Sequence, residues 1–98
     1  MVMNPILRVV GKTPDGKTVV DGIFTMVATY GVPLDVVVSF LDDRGHVPDW
    51  VSFYKQAVRE GWPSDRTLLR LEAVVGDVYG PVYREEWKKR MGLALCTI

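Results

Sequence analysis

The sequence predicts a mainly α-helical, α+β fold in which an N-terminal β-hairpin precedes about five short helices with helix-turn-helix-like corners. Three observations carry this prediction. The first two are that β-prone runs flank a Pro-Asp-Gly turn near the N-terminus and that glycine followed by proline recurs along the rest of the chain. The third is size, because 98 residues with 48% hydrophobic content suit one compact core. We therefore expect a single domain over residues 1–98.

The hairpin is predicted over about residues 6–20, with the sequence ILRVVGKTPDGKTVV. Pro14 presets φ at the first central turn position, and Gly16 tolerates the positive φ that commonly follows. Valine and isoleucine on both sides favour strands. Because an isolated two-stranded hairpin is marginal in water, this one must pack on helices or pair its open edge with another chain.

Glycine and proline divide the helical part, about residues 21–91, into segments. The pairs are Gly31 and Pro33, Gly45 and Pro48, Gly61 and Pro63, and Gly80 and Pro81. Glycine accepts the left-handed conformation after a helix, and proline suits the first helical position, where its missing amide would have no partner. The segments between these corners are predicted to be helices, and residues 92–98 a frayed tail.

Apolar spacing predicts which helix faces are buried. The predicted stripes are Leu34, Val37, Val38 and Leu41 after Pro33; Trp50, Val51, Tyr54, Ala57 and Val58 after Pro48; and Leu68, Leu71, Val74, Val75 and Val78 after Pro63. We expect Trp62 to fold back on the helix that Gly61 ends. Residues 21–30 fit a helix with Asp21 as its N-cap, but they are also rich in strand formers, so both alternatives stay open.

Charge and cysteine content narrow the class of protein. Twelve basic and twelve acidic side chains leave no net charge, so no global field draws the chain to nucleic acid or to an anionic membrane. The single cysteine, Cys96, excludes an internal disulfide and a multi-cysteine zinc site. The N-terminus lacks the features of a signal peptide, and no apolar run approaches the roughly 18 residues that a membrane span requires. We expect a soluble cytoplasmic protein.

Residues for catalysis or metal binding are sparse. His46 is the only histidine and is predicted to lie in the turn GHVP without a serine or cysteine motif nearby. Asp42 and Asp43 are adjacent, as are Glu85 and Glu86, so on a helix each pair diverges by about 100° and forms no carboxylate dyad. The glycines form no phosphate-binding motif. We expect no enzyme activity, cofactor, metal or small-molecule substrate.

The segment around GVPLDVVVSFL resembles a helix-turn-helix over about twenty residues. With Gly31 as the turn glycine, the hydrophobic positions fall on Met26, Tyr30, Val32, Val37 and Phe40. It departs from the motif at Val27, where a small residue is usual. The predicted outward positions include Asp35, Asp42 and Asp43, where a DNA-reading helix carries basic or polar side chains. The pattern favours a packing corner over a DNA reader.

Two surface predictions follow. Val36 and Phe40 extend the apolar stripe of the Pro33 helix beyond its core face, while Tyr79, Tyr83 and Trp87 recur at i, i+4 and i+8 and could form an aromatic ridge. A small domain also needs large side chains to fill its core, and for Trp87 the core is the favoured alternative. These five residues predict a non-catalytic protein-interaction or assembly module whose partner is another protein or a second copy of the chain.

The alternative is a nucleic-acid-binding regulator with Lys88, Lys89 and Arg90 as phosphate contacts. Those cations also fit i, i+4 ion pairs from Glu85 to Lys89 and from Glu86 to Arg90, which would make them an ordinary solvated helix face.

Overall fold

The computed structural model describes residues 6–96. Its elements are β1 (Arg8–Lys12), β2 (Thr18–Asp21), α1 (Ile23–Ala28), α2 (Leu34–Asp42), β3 (His46–Pro48), α3 (Trp50–Arg59), α4 (Ser64–Tyr79) and α5 (Pro81–Cys96). The structure is mostly helical, at 62%, with an N-terminal strand pair and five helices, so the predicted α+β class is confirmed. The elements divide into two compact units, one ending at Asp49 and one beginning at Trp50. The single-domain expectation stays a prediction.

The predicted hairpin is present, with β1 antiparallel to β2 and Arg8 opposite Asp21. Its turn closes through backbone bonds from Gly16 N to Thr13 O at 2.9 Å and from Thr13 N to Lys17 O at 2.8 Å. Gly16 has a φ of 90°, the left-handed conformation that the turn prediction required. A bulge between Val9 and Gly11 interrupts the ladder and adds one residue to β1.

A third strand completes the sheet in the order β1-β2-β3, with β3 parallel to β2. The prediction of a turn at GHVP was therefore wrong, because His46 pairs with Thr18 and Pro48 with Val20. Pro48 ends β3 instead of opening a helix. A proline is tolerated on an edge strand because its missing amide leaves no interior ladder bond unmade.

Residues 22–45 form the crossover that two parallel strands require, and α1 and α2 lie within it. For residues 21–30 the sequence left helix and strand as alternatives, and the structure has a helix here, α1, from Ile23 to Ala28. Its N-cap is Gly22, not the predicted Asp21, which instead ends β2 as a buried residue. The Asp21 carboxylate accepts from Arg8 Nη2 at 3.2 Å and from the Gly22 amide at 2.8 Å. These contacts hold it in the sheet.

Helix α2 buries the predicted stripe. Leu34, Val37, Val38 and Leu41 are each at most 4% exposed, and the helix contacts β3. Pro33 is the N-cap and not the first helical residue, because its carbonyl accepts from the Val37 amide at 3.2 Å. The apolar spacing therefore located the buried face of α2, and the proline located its start to within one residue.

In the second unit, α3 buries Phe53 and Ala57. The predicted buried face of α3 was wrong at two positions. It omitted Phe53, which is buried, and it included Val58, which is 39% exposed. The reason lies at the helix end, where the Trp62 amide donates to Ala57 O at 2.9 Å. This bond turns the chain back, and the Trp62 ring lies 6.0 Å from that of Phe53. The predicted folding back of Trp62 is confirmed.

Helix α4 buries Thr67, Leu71, Val74 and Val75, while the predicted Leu68 and Val78 are half-buried. Gly80 then breaks the helix with a φ of 95°, and α5 begins at Pro81. The four glycines predicted to end helices, Gly31, Gly45, Gly61 and Gly80, all have positive φ. Residues 92–96, predicted as part of a frayed tail, continue α5, and residues 97–98 lie outside the described range. Among the described helices, none is both long and apolar enough to cross a bilayer.

We expect Gly22→Ala to lower the free energy of unfolding by at least about 3 kcal/mol, against about 1 kcal/mol for the control Gly16→Ala. Both glycines have positive φ, but a Cβ at Gly22 would clash with the Ile6 carbonyl, whereas one at Gly16 meets nothing within 4 Å. Urea denaturation measures the difference. Equal losses from the two variants would contradict the close backbone approach at Gly22.

Candidate functional site

The exposed side of α2 is the first candidate surface. We define the α2 face as Asp35, Val36, Ser39, Phe40 and Asp43, which are all exposed. Their spacing places them opposite the buried stripe of the same helix. Val36 is 52% exposed and Phe40 is 40% exposed, and they lie one turn apart. The α2 face therefore carries two large apolar side chains between acidic ends.

Arg44, just beyond α2, borders this face. Its guanidinium carbon lies 3.6 Å from the centroid of the Phe40 ring, and its Nη1 donates to the Phe40 carbonyl at 3.1 Å. The first contact is a cation–π interaction, and the second satisfies a carbonyl that the helix end leaves without an intrahelical partner. The cation–π contact covers one side of the Phe40 ring, and both contacts place a positive charge beside Phe40.

The α1–α2 corner does not pack as a helix-turn-helix requires. Tyr30 is 61% exposed and Phe40 is 40% exposed, although the motif would bury both. Helix α1 has only six residues. Val27, the position where the motif usually has a small residue, is buried at 8% exposure. The resemblance therefore came from the turn glycine and the helical spacing.

The predicted aromatic ridge is instead a packed cluster in the second unit. The Tyr79 and Tyr83 rings lie 4.6 Å apart between centroids, although a helix break at Gly80 separates them. Trp50, which the ridge prediction did not include, packs edge-on against Tyr79 at 6.5 Å and against Trp87 at 5.9 Å. Trp87 is only 5% exposed. We therefore leave these three predicted interface residues out of the candidate surface.

The basic cluster on α5 is exposed at Lys88, Lys89 and Arg90. Lys88 Nζ lies 3.9 Å from Glu85 Oε2, and Arg84 Nε lies 3.8 Å from the same oxygen. Among the described residues, neither predicted i, i+4 pair, from Glu85 to Lys89 or from Glu86 to Arg90, is formed. Exposed pairs of this kind contribute little to stability.

The remaining candidates for chemistry lie apart. His46 is in β3, Asp42 and Asp43 end α2, and Cys96 is the last residue of α5. Within residues 6–96, no group of three or more histidine, cysteine, aspartate or glutamate side chains is placed to hold a metal ion.

Comparison of the chain with models of protein families found no match, and comparisons with curated proteins and with solved structures found none either. A function must therefore be argued from the geometry of the chain itself.

We expect Trp87→Ala to lower the free energy of unfolding by about 3 to 5 kcal/mol and Phe40→Ala to lower it by about 1 kcal/mol or less. The Trp87 substitution removes a ring from a buried aromatic cluster, whereas the Phe40 substitution removes mainly the contact between that ring and Arg44. Chemical denaturation followed by far-UV circular dichroism measures both. A larger loss for Phe40→Ala than for Trp87→Ala would contradict the assignment of Phe40 to the surface and Trp87 to the core.

Proposed function

We propose that the protein is a non-catalytic interaction or assembly module that binds protein through the α2 face. The observation that carries this proposal is the exposure of Val36 and Phe40 on a helix whose opposite stripe is fully buried. The buried stripe holds α2 in place, so the helix backbone need not be ordered at binding, and the cost is limited to fixing the exposed side chains. Burying them would remove apolar surface from water, the main driving force of association.

A second copy of the chain is the partner that the two apolar side chains of this surface favour, because an antiparallel pair would match each copy's apolar pair with the other's. In an antiparallel pair of α2 helices, Val36 of one copy would lie beside Phe40 of the other, with the small Ser39 near the crossing point. Apolar contacts at the centre with polar and charged side chains at the rim are typical of a specific interface.

A reducing, cytoplasmic location is part of the same proposal. It is supported by the presence of a single cysteine in the sequence, because proteins of oxidising compartments use cysteines in disulfide pairs.

Sedimentation velocity over a range of protein concentrations tests self-association. We expect the average mass to rise with concentration, and we expect Val36→Ser and Phe40→Ser each to weaken association by about tenfold. The matched control is Leu69→Ser, which removes an apolar side chain that is 64% exposed on α4, outside the α2 face. This control should leave the mass unchanged.

Two outcomes would count against the α2 face. Equal weakening by Leu69→Ser would indicate non-specific hydrophobic association, and a monomer at every concentration would exclude a second copy as the occupant. Circular dichroism of each variant separates loss of association from loss of fold.

The exposure of three adjacent cations on α5 keeps nucleic-acid binding as a second candidate. If this function holds, affinity for duplex DNA should fall with salt on a log–log slope of about −3, since each phosphate contact contributes about −0.9. Replacing Lys88, Lys89 and Arg90 with alanine should abolish the binding, whereas the control Lys55→Ala, at an exposed position of α3, should not. Fluorescence anisotropy measures both. Binding that survives the triple replacement would exclude this site.

A further inference from the structure

Strand β1 is an open edge that is exposed along its whole length. All five of its residues are exposed, with Val9 at 60% and Val10 at 47%. In the sheet order β1-β2-β3, one side of β1 pairs with β2, and the other pairs with no strand among the described residues. An edge strand with exposed valines offers unpaired backbone groups to another extended chain.

The residues of β2 and β3 are all buried or half-buried, so the exposed residues of this sheet lie in β1. Val20 in β2 is fully buried, and Val47 in β3 is only 4% exposed. Val9 lies opposite Val20 in the register and on the same face of the sheet. The contacts that bury Val20 completely nevertheless leave Val9 60% exposed. A strand added beyond β1 would extend the sheet and cover part of both exposed valines.

The charges of β1 indicate which strand would fit. Arg8 and Lys12 are its end residues, opposite Asp21 and Thr18 respectively. Because residues three apart on β2 point to opposite faces, the two cations also lie on opposite faces. Arg8 pairs with Asp21, but its side chain is 74% exposed and keeps other donors for a ligand. Both faces of the edge therefore favour carboxylates.

A second copy of β1 is a poor fit to the same edge. An antiparallel β1 pair centred on Val10 would set Arg8 of each copy opposite Lys12 of the other, and like charges directly opposite are destabilising. The bulge between Val9 and Gly11 limits the length of regular edge, so a strand added here would be short.

We propose that β1 binds a short, acidic, extended segment of another protein by strand addition, with carboxylates against Arg8 and Lys12 and backbone hydrogen bonds along the open edge. This site is distinct from the α2 face. It holds whether or not α2 mediates self-association, because it rests on the exposure, register and charge of a different element.

The test uses the full chain and three synthetic heptapeptides. The probe is EEVTVEE, which carries glutamates on both faces of an extended strand. One control, KKVTVKK, reverses its charge. The other, EEVPVEE, keeps the charge but removes a backbone donor and disfavours the central strand position. We expect only EEVTVEE to bind well, with NMR amide shifts and slowed hydrogen exchange concentrated at residues 8–12.

A charge-reversal variant completes the test. Lys12→Glu should weaken binding of EEVTVEE by about five- to tenfold, and the control Lys55→Glu, which makes the same charge change on α3, should not. Circular dichroism establishes that Lys12→Glu remains folded.

Three results would overturn the proposal: no binding of EEVTVEE, equal binding of EEVPVEE, or equal weakening by the two lysine variants. The second would indicate charge attraction without strand pairing. Since none of these measurements involves Val36 or Phe40, failure here is distinguishable from failure of the α2 face.

Discussion

Strand β2 is hydrogen-bonded on both sides, and the first unit depends on this pairing. It joins β1 through a local hairpin and β3 through a parallel ladder, and its Val20 carbonyl also accepts from the Asp49 amide at 2.9 Å. Parallel pairing requires the intervening chain to cross over the sheet, and within this crossover α2 packs against β3 and α1 packs against α2. The buried stripe of α2 follows from this constraint. Its opposite face, with Val36 and Phe40, is then directed away from the core.

The close backbone approach at Gly22 allows β2 to pass directly into α1. A side chain at this position would clash with Ile6, and the neighbouring Asp21 carboxylate is held by Arg8 and by the Gly22 amide. The same ion pair joins the ends of β1 and β2. Arg8 therefore has a structural role in the hairpin as well as a place in the proposed strand-addition edge, and for this reason Lys12 is the cleaner position for a charge reversal.

Large side chains form a cluster in the second unit, and some remain exposed in the first. In the second unit, Trp50, Tyr79, Tyr83 and Trp87 pack on one another, and aromatic pairs at these distances add to the stability gained by burial. In the first unit, Val9, Val10, Val36 and Phe40 remain on the surface. Apolar side chains that a fold leaves exposed on a helix face and on a strand edge mark candidate binding surfaces. The second unit also exposes apolar side chains, at Leu69, Val82 and Leu93, but those four of the first unit lie next to one another in pairs, on α2 and on β1. Our two protein-binding proposals rest on these neighbouring pairs.

The sequence by itself determined the features that depend on neighbours within a few residues. These are the hairpin turn, the left-handed glycines at the helix ends, the buried stripe of α2 and the folding back of Trp62, because backbone strain, helical period and capping are local. Val36 and Phe40 were also identified from helical spacing. Tertiary structure decided the rest. Strand β3, the burial of Asp21 and the aromatic cluster all depend on contacts between distant segments, and the sequence pattern of one segment does not record which other segment will cover it.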